Sequence, residues 1–419
     1  GPAARIAILD SGIDGSHEEW SGPESPLVAP RNVIDGSADG SDWSLSGHGT
    51  HVAGIAAAPV NGVGVVGAAP ASRAGAQVIP VRIADPQGQS TDASMMGGIR
   101  WAVRHGAKVI NISAGGPGYS RAFQATVNWA ASRGALIVAS VGNDGGTSEG
   151  KVVNYPAGYQ RVVGVGAQCS VRVSRDCPVP FGRATFSNVS AAVDLIAPGV
   201  GILSSVPPRV RAGEVVPGDV LKDGTSMAAP YVAGVAALVQ AANGNRLSPY
   251  QLLRHLQRTA VPLESGGRNN RSGYGVVDPA AAVTRTVPAD DPHEIDDDIK
   301  WLGRAERPVP GRPLRIAATI DQLQDSDDVY PVRLRAGERV QVTLRYRTGV
   351  EDLYVWGPGA KTVRTDEGNV RRNLIRYKGG PAKRKRAVFI AERSGVHYLN
   401  VFGRRGSGDY SLVVLTRSS

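Results

Sequence analysis

The sequence predicts a doubly wound α/β unit with a mostly parallel sheet, followed by a small all-β sandwich. Three observations carry this reading. The first two-thirds of the 419 residues alternates short apolar runs with longer helical stretches, the pattern of strands covered by helices. The short runs are continuously apolar, as expected of strands buried on both faces. Beyond an acidic stretch near Pro288, apolar and polar residues alternate one by one, the period of a strand with one wet face.

In chain order, strands are expected at 5–9, 77–83, 108–112, 135–139 and 161–165. Helices are expected at 51–58, 94–105 and 121–133, and again at 226–242 and 249–259. Ser248-Pro249 is a good start for the last of these, a capping serine followed by proline in the first turn. In such a fold, ligands sit beyond the carboxyl ends of the strands. Residues 1–287 form the expected α/β domain, 288–300 an acidic linker and 301–419 the β domain. In the β domain, alternating runs at 329–334, 339–344 and 398–402 are separated by turn signals such as Gly357-Pro358-Gly359.

Composition narrows the function classes. Hydrophobic residues make up 42%, enough for a sizeable core, and charged residues 20%, the globular norm. The net charge is +10 and the isoelectric point about 9.7. With 5% aromatics and no zinc-finger or RNA-binding signature, the charge does not indicate a nucleic-acid module. No run reaches the roughly 18–20 apolar residues of a membrane span, so no membrane span is expected. The chain opens at Gly1-Pro2 and enters a strand almost at once, which reads as a trimmed start. Two cysteines, Cys169 and Cys177, suit one short-loop disulfide or two unrelated thiols. The disulfide is favoured because the stretch between them is polar. It would contribute about 2–3 kcal/mol and imply an oxidising compartment.

Three short motifs place reactive side chains beside small residues. Asp10-Ser11-Gly12 follows the first buried strand; alone, it reads as a turn or cap. Gly47-His48-Gly49-Thr50-His51 opens a small-residue helix. Its two histidines lack the HExxH pattern or a third ligand of a zinc site, so His51 is expected to be a packed structural residue. Gly224-Thr225-Ser226-Met227-Ala228-Ala229-Pro230 opens an Ala-rich helix whose dipole favours developing negative charge. Pro230 is expected in the first turn, where the missing N–H has no helical partner to lose.

Together, in the order Asp, His, Ser, these motifs resemble the signatures of the subtilisin family (subtilases, peptidase S8) from about residue 6 to 283. That family is itself the standard example of this chain order. The resemblance implies a serine endopeptidase acting through an acyl-enzyme. Ser226 would be the nucleophile, His48 the base that takes its proton, and Asp10 the group that orients the imidazole. Asn143 matches the family's oxyanion-hole asparagine, with the Ser226 N–H as second donor. Ser113, Ala114 and Gly115 resemble one wall of the S1 pocket, and Ser140, Val141 and Gly142 the other. Asn154 falls at its floor. Gly88, Gln89 and Ser90 resemble the outer strand that pairs with an extended substrate. This implies protein or peptide substrates and broad specificity.

No cofactor is needed for such chemistry. Glu19 and Asn61 match part of a family calcium site; Glu19 stands where the family usually has Asp, and the family's N-terminal ligand is missing. The β domain, through Asp325 to Tyr330, Leu334 to Glu338 and Gly406 to Leu412, resembles bacterial pre-peptidase C-terminal domains. Secretion, a monomer and a propeptide outside this sequence follow as expectations. The run Lys383-Arg384-Lys385-Arg386 is expected to be a solvated loop. The rival function, a catalytically silent subtilase fold used for binding, would have no need of the triad and Asn143 together.

Overall fold

A computed structural model of the chain describes residues 4–417, apart from 73–75, 172, 212–213, 217, 266, 292, 295, 323, 364 and 366. Two compact units emerge, Gly1–Asp290 and Asp291–Ser419.

The first unit is built on a seven-stranded parallel sheet. Its strands are β1 (Arg5–Asp10), β2 (Arg31–Asn32), β3 (Gln77–Arg82), β4 (Ala107–Ile112), β5 (Leu136–Ser140), β6 (Val162–Gln168) and β7 (Leu195–Pro198). Their order across the sheet is β2-β3-β1-β4-β5-β6-β7. The five expected strands are present. The two added ones, β2 and β7, are only two and four residues long, too short for a periodicity to declare them.

Helices cover both faces. On one side α1 (His48–Ala57), α4 (Thr225–Ala242) and α5 (Pro249–Thr259) share a core with Ile6, Ile8, Val109 and Val138. On the other, α2 (Asp92–Arg104) and α3 (Arg121–Ala131) close over Leu9, Ile79, Ile110 and Ile137. Successive side chains of each strand point to opposite faces, so burial on both faces accounts for the unbroken apolar runs. Start signals are local. Thr91 and Ser94 form a reciprocal capping box on α2, Ser120 caps α3, and Ser248 with Pro249 opens α5 as expected. Helix α4 is long and apolar enough to cross a membrane, but it is mostly buried as a core helix. Cys169 and Cys177 are joined in a disulfide.

Two expectations are corrected here. Helix α1 begins at His48, not His51: Gly47 takes φ 62, a conformation glycine adopts without penalty, and turns the chain into the helix early. Helix α4 begins at Thr225, which places Pro230 beyond the first turn. Proline there removes the N–H that would bond the carbonyl four residues back, that of Ser226.

The second unit is a sandwich of two antiparallel four-stranded sheets. Its strands are β8 (Leu314–Asp321), β9 (Asp327–Leu334), β10 (Arg339–Tyr346), β11 (Val350–Trp356), β12 (Leu374–Lys378), β13 (Arg384–Ile390), β14 (Gly395–Arg405) and β15 (Ser407–Arg417). One sheet runs β8-β15-β10-β13 and the other β9-β14-β11-β12. Val340, Val342, Leu344, Val355, Val401 and Leu412 meet in the core between them. The basic run is a strand and not a loop: Lys385 points inward, donating to the Tyr346 hydroxyl at 2.7 Å and to the Gly380 carbonyl at 2.7 Å, while Arg384 and Arg386 point out. The alternation that makes it a strand was masked by four consecutive cations. Within the acidic stretch, Asp291 accepts from the Thr319 N–H and Asp298 from the Val363 N–H. Those bonds tie it to the sandwich.

Candidate active site

Three chain segments meet beyond the carboxyl edge of the sheet. Asp10 is the last residue of β1 and His48 the first of α1. Asp10 Oδ1 lies 2.8 Å from His48 Nδ1 and accepts the Ser11 N–H at 2.8 Å. Gly49 permits this approach. A side chain there would come within 2.2 Å of the Gly12 carbonyl and 3.1 Å of Asp10 Cβ.

Asp42, which sequence reading passed over, organises both loops. It accepts the Ser11 hydroxyl at 2.9 Å, the Ser44 N–H at 3.0 Å and the Thr50 N–H at 3.0 Å. Ser11 in turn accepts the Gly49 N–H, and Ser44 the His48 N–H. Asp42 stands in a polar loop six residues before His48 with no local signal, and only its partners reveal its work.

Burial acts to lower the His48 pKa, but the charge of Asp10 and the hydrogen bond to it prevail and hold it above the ordinary 6.5. His51 is the opposite case. Burial pushes it down to about 4, and its Nε2 meets the Val220 carbonyl at 3.0 Å. It is a packed neutral imidazole, in accord with expectation.

Ser226 sits at the second position of α4, half-buried. Gly224, with φ 150 and ψ 157, occupies a region that side chains avoid and sets the entry angle. The Ser226 carbonyl, left without a helical donor by Pro230, accepts the Ser113 hydroxyl at 2.9 Å. The Ser226 hydroxyl donates to the Ser113 carbonyl at 3.2 Å, and no hydrogen bond joins it to His48 among the described residues.

Asn143 is exposed, yet its orientation is fixed. Its Oδ1 accepts both the N–H and the hydroxyl of Thr225, each at 2.9 Å. That leaves Nδ2 as the outward donor. A point beside Gly224, where a Cβ would sit, is 3.6 Å from both Asn143 Nδ2 and the Ser226 nitrogen. Two N–H donors therefore flank one small space.

A cleft of about 630 Å³ is lined by the Asp10–His48 pair and by Ser113, whose carbonyl accepts the Ser226 hydroxyl; Ser226 and Asn143 themselves are not among its lining residues. Asp10 and His48 line one end, Gly88, Gln89 and Ser90 one wall, and Ser113, Ala114 and Gly115 another. Gly88, Gly115, Gly116 and Gly118 are among the lining residues, so part of the lining is backbone. Ala84 and Ser90 form an antiparallel bridge, closed by a turn in which Asp85 accepts the Gln87 and Gln89 N–H groups. Leu45, Met95 and Tyr155 also line the cleft; isolated apolar residues carry no sequence signal of this kind. Ser140 and Val141 are buried at the end of β5 and do not line this volume. Gly142 and Asn154 lie outside it too, but against each other. A Cβ on Gly142 would come within 2.4 Å of Asn154 Nδ2.

Glu19 and Asn61 are neighbours, but Asn61 turns its Nδ2 to Glu19 at 3.4 Å, and the Val65 N–H donates to the same carboxylate at 2.5 Å. With N–H donors meeting both oxygens, the pair as arranged does not fit a cation. In the second unit, Glu294, Asp296 and Asp328 each bring one oxygen within 4.8 Å of the others. Asp328 is buried, its Oδ2 accepts the Tyr410 hydroxyl, and its Oδ1 has no hydrogen-bond partner. Burial first, then the charges of Asp296 and Glu294, hold its pKa well above the usual range.

A parallel α/β sheet with a carboxylate–imidazole pair, a helix-start serine and two convergent N–H donors at one edge has the makings of a serine hydrolase. The Subtilase family model matches residues 1–275. Subtilisin BL of Lederbergia lenta is 36% identical over 283 residues, which span 68% of this chain and 91% of that protein. Subtilisin DY of Bacillus licheniformis is 34% identical over 283 residues, spanning 68% and 92%. Fervidolysin of Fervidobacterium pennivorans is 36% identical over 301 residues, spanning 68% of this chain but only 41% of that protein. The chain belongs to the subtilase family and is a subtilisin-like serine protease, a class that needs no cofactor for catalysis.

Proposed function

We propose that Asp10, His48 and Ser226 form the catalytic triad of an extracellular endopeptidase that cleaves extended protein segments with broad preference. The observation that carries this reading is the 2.8 Å contact between Asp10 Oδ1 and His48 Nδ1, at a site whose remaining parts converge around Ser226. In the reaction, the Ser226 hydroxyl leaves the Ser113 carbonyl and turns toward His48 Nε2, a side-chain rotation. His48 takes its proton as the oxygen attacks the scissile carbonyl, and Asp10 stabilises the imidazolium. The oxyanion forms between Asn143 Nδ2 and the Ser226 N–H. His48 then protonates the leaving amine, and water hydrolyses the acyl-enzyme.

A lining that is partly backbone favours β-strand addition by the substrate, which requires an unfolded segment but few particular side chains. Ser140, Val141, Gly142 and Asn154 are assigned to the far side of the P1 pocket, and the disulfide supports an oxidising, extracellular setting. Digestion of an unfolded protein, with the cleaved bonds mapped by mass spectrometry, tests this. Cuts after many residue types in unfolded but not folded segments are expected. Cleavage after a single residue type would refute the broad preference.

Asn143→Ala is expected to lower kcat by about 10²–10³ with little change in KM, since its donor serves the transition state. That magnitude comes from the subtilisin family itself. Steady-state kinetics on one peptide substrate check it, and a change confined to KM would remove Asn143 from the oxyanion role.

A structural divalent cation, if the protein holds one, is assigned to Glu294, Asp296 and Asp328. Three clustered carboxylates suit a hard cation that takes six to eight oxygens, and such an ion would satisfy Asp328 Oδ1. Chelation is expected to lower the melting temperature of the β unit, and added calcium to restore it, while Asp328→Asn becomes insensitive to both. An unchanged melt in chelator would leave the cluster without an ion.

A further inference from the structure

Charge is unevenly placed in the second unit. Residues 329–419 carry 19 Lys and Arg against 7 Asp and Glu. The outer face of the sheet β8-β15-β10-β13 concentrates this excess. On β10, Val340, Val342 and Leu344 point into the core, so Arg339, Gln341, Thr343 and Arg345 point out. On β13 the outward residues include Arg384 and Arg386, and on β15 they include Arg417.

The register sets like charges opposite one another. Arg345 pairs with Arg384, and Arg339 with Arg417. Arg386 lies opposite Thr343, one step along from the first pair, and donates to Gln341 at 2.5 Å. Among the described residues two carboxylates take outward positions on this sheet, the exposed Asp409 and the buried Asp321 at the end of β8, and Arg339, Arg345, Arg384 and Arg417 make no ion pair.

Directly opposed like charges destabilise an antiparallel pair. One structural use of such charges is to protect an edge strand from pairing with other chains. That suits Arg384 and Arg386 on β13, which is an edge. It does not explain Arg339, Arg345 and Arg417, which lie on the two inner strands. A bound polyanion does, because it converts each repulsive pair into a two-pronged grip.

We propose that this face binds a linear acidic polysaccharide. Six outward residues are arginine, Arg315 on β8 with the five above, and the planar guanidinium matches carboxylate and sulfate oxygens in paired hydrogen bonds. Gln341 and Ser411, both partly exposed, lie between them, an amide and a hydroxyl suited to sugar hydroxyls, while Thr343 is buried. The outward positions of β8, β10, β13 and β15 carry no aromatic residue on which a nucleic-acid base could stack. The two arginine pairs are separated by six residues along β10, about 20 Å, so a long chain engages both and a short oligosaccharide only one. Such a grip would hold the protease on an extracellular matrix or wall polymer near its substrates.

The test uses the full chain, with heparin as the sulfated probe, polygalacturonate as the carboxylated one, short oligosaccharides of each, and duplex DNA. Tight, salt-sensitive binding to at least one long polysaccharide is expected, and the stronger of the two identifies the anion. Arg345→Ser/Arg384→Ser/Arg386→Ser is expected to weaken it about tenfold or more. Arg333→Ser/Arg335→Ser/Arg393→Ser removes equal charge elsewhere and is expected to change it less than about twofold. Hydrolysis of a small soluble peptide and the melting temperature report that both variants are folded. If the first variant is not, Arg339→Ser/Arg417→Ser carries the same expectation. Equal weakening by the face and control variants, no gain with chain length, or tighter binding to DNA than to either polysaccharide would overturn the proposal.

Discussion

Ser226→Ala is expected to lower kcat by about a million-fold while leaving the fold intact; this is the magnitude subtilisin itself shows, carried over through family membership. The physical reason lies in the geometry of α4. Ser226 stands at the second position of the helix, and the nitrogen of its backbone N–H and Asn143 Nδ2 each lie 3.6 Å from one point beside Gly224. Alanine keeps that N–H, the helix and the carbonyl that accepts the Ser113 hydroxyl. Only the nucleophile goes. The residual rate should match that of the oxyanion donors and substrate binding alone. KM should change little, because the residues lining the cleft come from other segments. Single-turnover and steady-state kinetics with one peptide ester check this, and a loss below tenfold would mean another residue attacks.

Asp10→Asn is expected to lower kcat by about ten-thousand-fold and to move the acid limb of the pH profile. Asp10 Oδ1 meets both the Ser11 N–H and His48 Nδ1. An asparagine that turns its NH₂ to the Oδ1 position gives up the Ser11 bond and faces His48 with a donor. The imidazole must then carry its proton on Nε2, the atom that should receive the proton of Ser226. The pH effect has a definite sign. His48 works as a base only when neutral. In the wild type, Asp10 outweighs burial and holds the pKa above 6.5, so activity should rise with a midpoint above that value. Without the carboxylate charge, burial and the charge of Lys222 outweigh the smaller pull of Asp42, and the midpoint should fall below it. A midpoint unchanged by the substitution would separate Asp10 from His48.

The sheet was readable in the sequence because burial on both faces leaves no choice of residue. The runs at 77–83 and 108–112 are mostly apolar, and their structured counterparts Gln77–Arg82 and Ala107–Ile112 differ by one residue at the ends. Starts governed by backbone conformation were less readable. Gly47 turns the chain into α1 at His48, three residues before the expected start, and Gly224 turns it into α4 at Thr225, one residue before. Periodicity reports which face is apolar and is blind to φ.

The residues of the proposed triad stood out in the sequence because each sits among small residues that allow close approach. Supporting residues were not. Asp42 and Asp85 are ordinary loop aspartates in sequence, and only the set of N–H groups around them gives them a role. Glu19 was legible as a carboxylate but not as one whose oxygens the Val65 and Asn61 N–H groups already meet. The basic strand shows the same limit from the other side. A run of four cations hides the inward Lys385, whose partners Tyr346 and Gly380 come from outside β13.

The most direct measurement is active-site labelling of the full chain with a fluorophosphonate, with the modified residue located by mass spectrometry. The account predicts one label per chain, on Ser226, forming faster as pH rises through the titration of His48 and lost in Ser226→Ala. A folded protein that takes no label, or takes it on another serine, would contradict it.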